Sequence, residues 1–218
     1  MTAPRHKTFL LARPETWVLE SIARRLPRWV MPDHLTALGV VAAIGIAAAY
    51  ALSNRDPAWL WAASGLLVVH WLGDSLDGTL ARVRRSERPR YGYYLDHLVD
   101  AIATALIGIG LGLSPYMLLA TGMVIVIAYL VLSINTYLET KVFGVFSLGY
   151  GRLGPTEARL ALVAINTVMA LGLAPGVAGL SILDVLVLGI AVAMVVALVV
   201  RAGRNLRTLA RLEPQAGS

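Results

Sequence analysis

Long apolar stretches alternate with short polar breaks along this chain, a pattern that predicts helices able to cross a lipid bilayer. Six stretches stand out: residues 34–53, 58–81, 93–113, 115–138, 156–175 and 181–201. Each holds roughly 20 residues or more, which at ~1.5 Å per residue spans a ~30 Å hydrocarbon core. Turn formers separate several of them: Asn54, Arg55, Asp56 and Pro57; then Ser114 and Pro115; then Ala174, Pro175 and Gly176.

Residues 14–30 follow another rhythm. Trp17, Val18, Ile22, Leu26 and Trp29 recur at helical spacing, and Arg24, Arg25 and Arg28 cover the other side. Pro14 and Glu15 suit a helix start. The pattern predicts an amphipathic helix lying on the membrane surface, bent or ended near Pro27; a disordered basic arm is the plainer alternative. The expected fold is thus an all-α integral membrane protein, with six transmembrane helices plus an N-terminal amphipathic interfacial helix. Three parts follow: an N-terminal segment with the interfacial helix over 1–33, a six-helix transmembrane domain over 34–201, and a tail over 202–218, with no repeat or second domain.

Composition agrees. The chain is 57% hydrophobic and 15% charged, against about 25% charged for soluble domains. It has no cysteine, which excludes disulfides, thiolate metal sites and cysteine nucleophiles. Met1 to Leu11 lack the pattern of a signal peptide, so the first span is expected to serve as its own insertion signal.

The net charge of +6 would suggest nucleic acid in a soluble protein, but no aromatic-rich basic groove accompanies it. Its distribution explains it better. Arg5, Lys7, Arg13, Arg24, Arg25 and Arg28 precede the first span. Arg82, Arg84, Arg85, Arg88 and Arg90 follow the second. Lys141, Arg152 and Arg159 lie between the fourth and fifth, and Arg201, Arg204, Arg207 and Arg211 flank the end of the sixth. Only Arg55 falls on the other side. This 18-to-1 split among the 19 basic residues predicts an even number of spans and both termini in the cytoplasm.

Four carboxylates interrupt the apolar pattern. An Asp near the bilayer centre costs roughly 2.5–3.5 kcal/mol, yet the second and third spans carry Asp74, Asp77, Asp96 and Asp100. Spacings of three and four put each pair on one helical face. The short basic loop between these spans lets both pairs converge near the cytoplasmic surface. Clustered carboxylate oxygens without cysteine suit a hard divalent cation such as Mg²⁺, Mn²⁺ or Ca²⁺, and two ions would neutralise four charges. Gly78 and Ala81 leave room for a ligand beside the helix. Arg82, the one arginine suitably placed to pair with the carboxylates, could clamp a diphosphate. The residues alone leave three readings open: a metal-dependent site for a phosphate ligand, a structural salt-bridge network, and a cation pathway.

The run Asp74, Asp77, Gly78, Ala81, Arg82, then Gly92, Asp96 and Asp100 resembles the signature of the CDP-alcohol phosphatidyltransferase family, D-x-x-D-G-x-x-A-R…G-x-x-x-D-x-x-x-D. All eight fixed positions are present within 27 residues; the inner gap is nine residues where eight is usual. The resemblance implies an enzyme of phospholipid synthesis that transfers a substituted phosphoryl group from a CDP-linked donor to an alcohol and releases CMP. It implies that Asp74, Asp77 and Asp96 ligate two divalent metals, Mg²⁺ or Mn²⁺, and that Asp100 is the general base, also close to a metal. Gly78, Ala81 and Arg82 would border the cytidine diphosphate. Met31 to Thr36 is similar to the family's Pro-Asn-x-Leu-Thr segment, with Asp33 where Asn is common; Thr36 is a nucleotide candidate or a helix-start residue. A homodimer is implied, and the glycines of the third span permit one.

The donor is less defined. His97, directly after Asp96, and Glu157, within Gly154 to Glu157, resemble stretches of choline and ethanolamine phosphotransferases, where they would position or deprotonate the acceptor. Glu157 could equally cap its helix or pair with Arg159 or Arg152. Lys141, Arg152 and Arg159 instead suit a phosphorylated acceptor, as expected with a CDP-diacylglycerol donor, and the expectation leans that way. The alternatives are a CDP-choline or CDP-ethanolamine type enzyme acting on a diacylglycerol-like lipid and, in another class, a divalent-cation transporter. Trp59 and Trp61 are expected in the outer aromatic belt, and Asp184 at a helix start.

Overall fold

The computed structural model describes residues 12–144, 154–173, 176–177 and 180–213. Among them are seven helices: α1 (Ala12–Arg25), α2 (Pro32–Leu52), α3 (Trp59–Val83), α4 (Pro89–Gly112), α5 (Leu119–Phe143), α6 (Pro155–Ala170) and α7 (Ile182–Leu212). A two-residue antiparallel pair, Gly176–Val177 (β1) with Leu180–Ser181 (β2), leads into α7. Local chemistry sets the ends. Pro32, Pro89 and Pro155 open α2, α4 and α6, where a missing N–H costs nothing. Gly144 stops α5 with φ 69°, a left-handed conformation that glycine adopts freely.

Four helices, α2, α4, α5 and α7, are long and apolar enough to cross a membrane. The other two expected spans differ. α3 has 25 residues, but its tryptophans, His70, Asp74 and Asp77 dilute its apolar character. α6 has only 16 residues, about 24 Å of helix, and ends at Ala170 rather than at 175. In the opposite sense, α7 runs unbroken to Leu212, because Arg201, Arg204 and Arg207 add charge without breaking the helix. The stretch expected as an amphipathic helix holds α1, which ends at Arg25, before Pro27.

Packing follows the small residues. α2 crosses α3 in antiparallel fashion at Gly39 and Gly73, where a Cβ on Gly73 would stand 2.7 Å from both the Gly39 nitrogen and the Leu35 oxygen. Gly110 of α4 is pressed on Ala47 of α2, and Gly122 of α5 on the Gly108 carbonyl. Gly108, Gly110 and Gly112 of α4 are therefore in close contact within the chain itself. Deeper in the bundle the Tyr50 hydroxyl donates to Asn166 at 3.0 Å, and Asn166 donates to Ser64 at 3.1 Å, joining α2, α6 and α3. Outward, Leu38, Val41 and Ile44 on α2, Ile127 and Ile134 on α5, and Val192, Val196 and Val199 on α7 are exposed, as lipid-facing residues are.

α1 packs Leu19 and Ala23 onto Leu76 and Leu80 of α3, while Trp17 and Trp29 are each 74% exposed. Asp184 does more than start α7. Its carboxylate accepts the Ser181 N–H at 2.9 Å and the Leu118 N–H at 2.9 Å, capping α7 and pinning the start of α5.

Gly73 tests the crossing. Gly73→Ala is expected to destabilise the bundle by about 1–3 kcal/mol through overpacking. Gly39→Ala, whose Cβ would meet nothing closer than 3.6 Å, is expected to be tolerated. Thermal unfolding in detergent checks both; equal behaviour of the two variants would contradict the crossing.

Candidate metal centre

The α2–α3 crossing fixes the residue after Gly73, which is Asp74. Asp77 follows one turn on, and α4 brings Asp96 and Asp100 from the neighbouring helix. Asp74, Asp96 and Asp100 each offer a carboxylate oxygen within 4.8 Å of the others. Metal–oxygen distances of about 2.1–2.6 Å bridge oxygens spaced roughly 3–5 Å apart. The donor set, three part-buried carboxylates and no sulfur, fits a hard divalent cation.

Asp77 stands outside that trio and turns towards α2. The Thr36 hydroxyl donates to one of its oxygens at 2.6 Å, and the Gly78 N–H donates to the other at 2.5 Å. Thr36 therefore holds a carboxylate of the motif.

The cation beside the carboxylates is Arg159, not Arg82. Arg159 donates from Nη2 to Asp74 at 2.6 Å, with the two side chains 15% and 19% exposed. This corrects the expectation that Arg82 alone is placed to pair. Arg82 lies just over two turns further along α3 than Asp74, and its guanidinium donates to Thr79 Oγ1 at 2.9 Å. One guanidinium against three converging carboxylates still leaves net negative charge for a cation to offset.

The expected basic acceptor residues are described only in part. Arg159 faces Asp74, Lys141 is exposed on the last turn of α5, and Arg152 lies outside the described residues. Glu157 serves its own helix by accepting the Gly154 N–H at 2.9 Å. His97 stands closer to the trio. Its Nδ1 lies 3.7 Å from an Asp96 oxygen and 2.7 Å from the Tyr93 carbonyl. A carbonyl only accepts, so this nitrogen is the one that carries the proton. The ring lies 4.1 Å from Tyr93 and 4.8 Å from Tyr137, centroid to centroid.

Several residues of this region escape sequence reasoning. Glu15 of α1 accepts from Trp71 Nε1 at 3.1 Å, Ser75 Oγ at 3.4 Å and Thr156 Oγ1 at 3.0 Å. It ties the surface helix to both elements that carry the Asp74–Arg159 pair. Arg84 donates to the carbonyls of Leu26, Pro27 and Val30, fastening the turn between α1 and α2. Arg88 grips Asp33 with both carboxylate oxygens at 2.6 and 2.7 Å. The signals were faint: Trp71 and Ser75 share a face of α3 at i, i+4, and Asp33 is a lone acid before an apolar run.

Fold and site together define a helical membrane protein with an acidic centre fit for a divalent cation. The chain belongs to the CDP-alcohol phosphatidyltransferase family, whose sequence profile matches residues 29–200. It is also similar to cholinephosphotransferase 1 of Danio rerio, with 24% identity over 161 residues. That match covers 68% of this chain and 40% of the relative, so the chain spans about two-fifths of the relative's length.

Proposed function

We propose that this protein is a membrane phosphotransferase of phospholipid synthesis, moving a substituted phosphoryl group from a CDP-linked donor to an alcohol and releasing CMP. The observation that carries this reading is the convergence of Asp74, Asp96 and Asp100 within 4.8 Å, on the helices of the family signature. In this reading α3 and α6 complete a six-span bundle with α2, α4, α5 and α7. The segregation of basic residues supports termini and carboxylates on the cytoplasmic side. A homodimer would use apolar faces other than the glycine side of α4.

Asp74, Asp77, Asp96 and Asp100 would hold two divalent ions, Mg²⁺ or Mn²⁺. Bound there, the ions neutralise the donor diphosphate and the departing CMP. The chain's own groups do the rest. Asp100 takes the proton of the acceptor hydroxyl as its oxygen bonds to phosphorus and the phosphorus–oxygen bond to CMP breaks. Arg159 restrains Asp74, and Thr36 restrains Asp77. Gly78 and Ala81 let the nucleotide approach α3, and Arg82 offers a planar donor pair to phosphate.

Two donors remain in contention, and the geometry bears on both. A CDP-diacylglycerol donor with a phosphorylated acceptor calls on Lys141, Arg152 and Arg159, of which Arg159 is engaged by Asp74. A CDP-choline or CDP-ethanolamine type donor gains support from the likeness to cholinephosphotransferase 1 and from His97 beside Asp96. Glu157, occupied as a helix cap, contributes less.

The experiment supplies purified protein in nanodiscs with Mg²⁺ or Mn²⁺ and labelled CDP-diacylglycerol, CDP-choline or CDP-ethanolamine, each with a panel of alcohols. Metal-dependent CMP release with one pair supports the reading and names the donor. Metal flux into vesicles without CMP release from any pair would replace it with cation transport.

A further inference from the structure

A small open cleft lies between α1 and α3, lined by Glu20, Arg24, Thr79, Arg82 and Val83. Two of these residues, Thr79 and Arg82, sit within or beside the family signature. The other two polar residues come from the surface helix and were assigned no role by the reaction. Glu20 and Arg24 face each other across one turn of α1, Nη2 to Oε2 at 3.4 Å, with side chains 46% and 70% exposed. They present an acceptor and a planar donor side by side.

Resting on the CDP-linked donor proposed above, we propose that Glu20 and Arg24 read the cytosine base, so that α1 sets nucleotide specificity. The chemistry of the base matches the pair. Cytosine presents an amino donor at N4 beside acceptors at N3 and O2; a carboxylate takes the first and a guanidinium serves the others. Uracil presents an acceptor at O4, which would face the Glu20 carboxylate, and a donor at N3, which would face Arg24. The same two side chains that favour cytosine therefore repel uracil.

Placement along α3 agrees. Thr79 and Arg82 stand five and eight residues beyond Asp74, about 8–12 Å along the helix, the right order for a nucleoside diphosphate whose phosphates lie at the carboxylates. Gly78 lies between, where a Cβ would come within 3.5 Å of Arg82 Nη1. Arg82, steadied by Thr79 at 2.9 Å, also lines the cleft. α1 is held in place for this task by Glu15 and by Leu19 and Ala23.

The test measures equilibrium binding of labelled CMP and UMP to the full-length protein in Mg²⁺-containing nanodiscs. Exposed i, i+4 pairs contribute little to stability, so Glu20→Gln should fold normally, and its unfolding temperature is recorded beside the binding. Wild type is expected to prefer CMP. Glu20→Gln, whose amide can also donate to uracil O4, should reduce the CMP-to-UMP preference by at least about fivefold. Arg24→Met should weaken CMP binding by a similar factor. Arg25→Gln, which removes a neighbouring charge outside the cleft, should leave the preference unchanged. A preference in Glu20→Gln within twofold of wild type overturns the proposal, as does a wild type that binds both nucleotides equally. If wild type discriminates but releases no CMP from any CDP-linked donor, the proposed reaction fails while the base assignment stands.

Discussion

Asp100→Asn is expected to lower metal-dependent CMP release by roughly a thousandfold, within the 10²–10⁴ range typical of a lost general base. Asn keeps the shape and one neutral oxygen but takes up no proton. Asp100 and Asp96 share a face of α4 and both reach the trio, so activity alone would not separate their roles. Metal affinity does. Asp96→Asn, which removes a charged ligand, should depress Mn²⁺ binding and turnover together. Asp100→Asn should cost turnover far more than Mn²⁺ affinity, read by titration of the substrate-free protein. Turnover near the wild-type rate in Asp100→Asn would sink the base assignment. An equal fall of affinity in both variants would make Asp100 a ligand first.

The acidic centre was legible because its information is local. Spacings of three and four on two helices, joined by a short loop, leave little freedom in where Asp74, Asp96 and Asp100 meet, but do not fix the turn of Asp77 towards Thr36. The α4 glycines were read as permitting a dimer, whereas Gly108 and Gly110 meet Gly122 and Ala47 of the same chain. What stayed hidden depends on contacts between distant positions. Arg159 lies 85 residues from Asp74, and its charge read equally well as part of the positive-inside bias or an acceptor site. Glu15 read as a helix-start acid favoured by the dipole, yet it gathers donors from α3 and α6. The spans blurred for a related reason. Hydropathy registers apolar content, and α3 and α6 bury polar side chains against each other, as in the Ser64–Asn166 bond, while α6 also has only 16 residues. The helix α1 was seen from its periodicity, but periodicity cannot tell a helix floating on lipid from one packed onto α3.

Arg201→Met is expected to destabilise the protein by about 3–5 kcal/mol, the effect of stripping a buried ion pair of one partner. Glu139 is 8% exposed. It accepts from Arg201 Nε at 2.6 Å and Asn135 Nδ2 at 2.9 Å, with further bonds from Arg201 Nη2 and Asn205. Removing Arg201 leaves a carboxylate with amide donors but no countercharge. The pair also carries unusual weight in the fold. α7 exposes most of its apolar surface and is tied to α5 at one end by Asp184 and at the other by this cluster. Breaking the second tie should let the last turns of α7 separate from α5 before the rest of the bundle unfolds. Hydrogen exchange should then rise first over residues 196–212. Because the penalty belongs to an orphaned charge and not to a lost attraction, Glu139→Leu combined with Arg201→Met should recover most of the stability. A double variant as unstable as Arg201→Met would show that the amide and guanidinium bonds themselves hold α7, and would refute the charge argument.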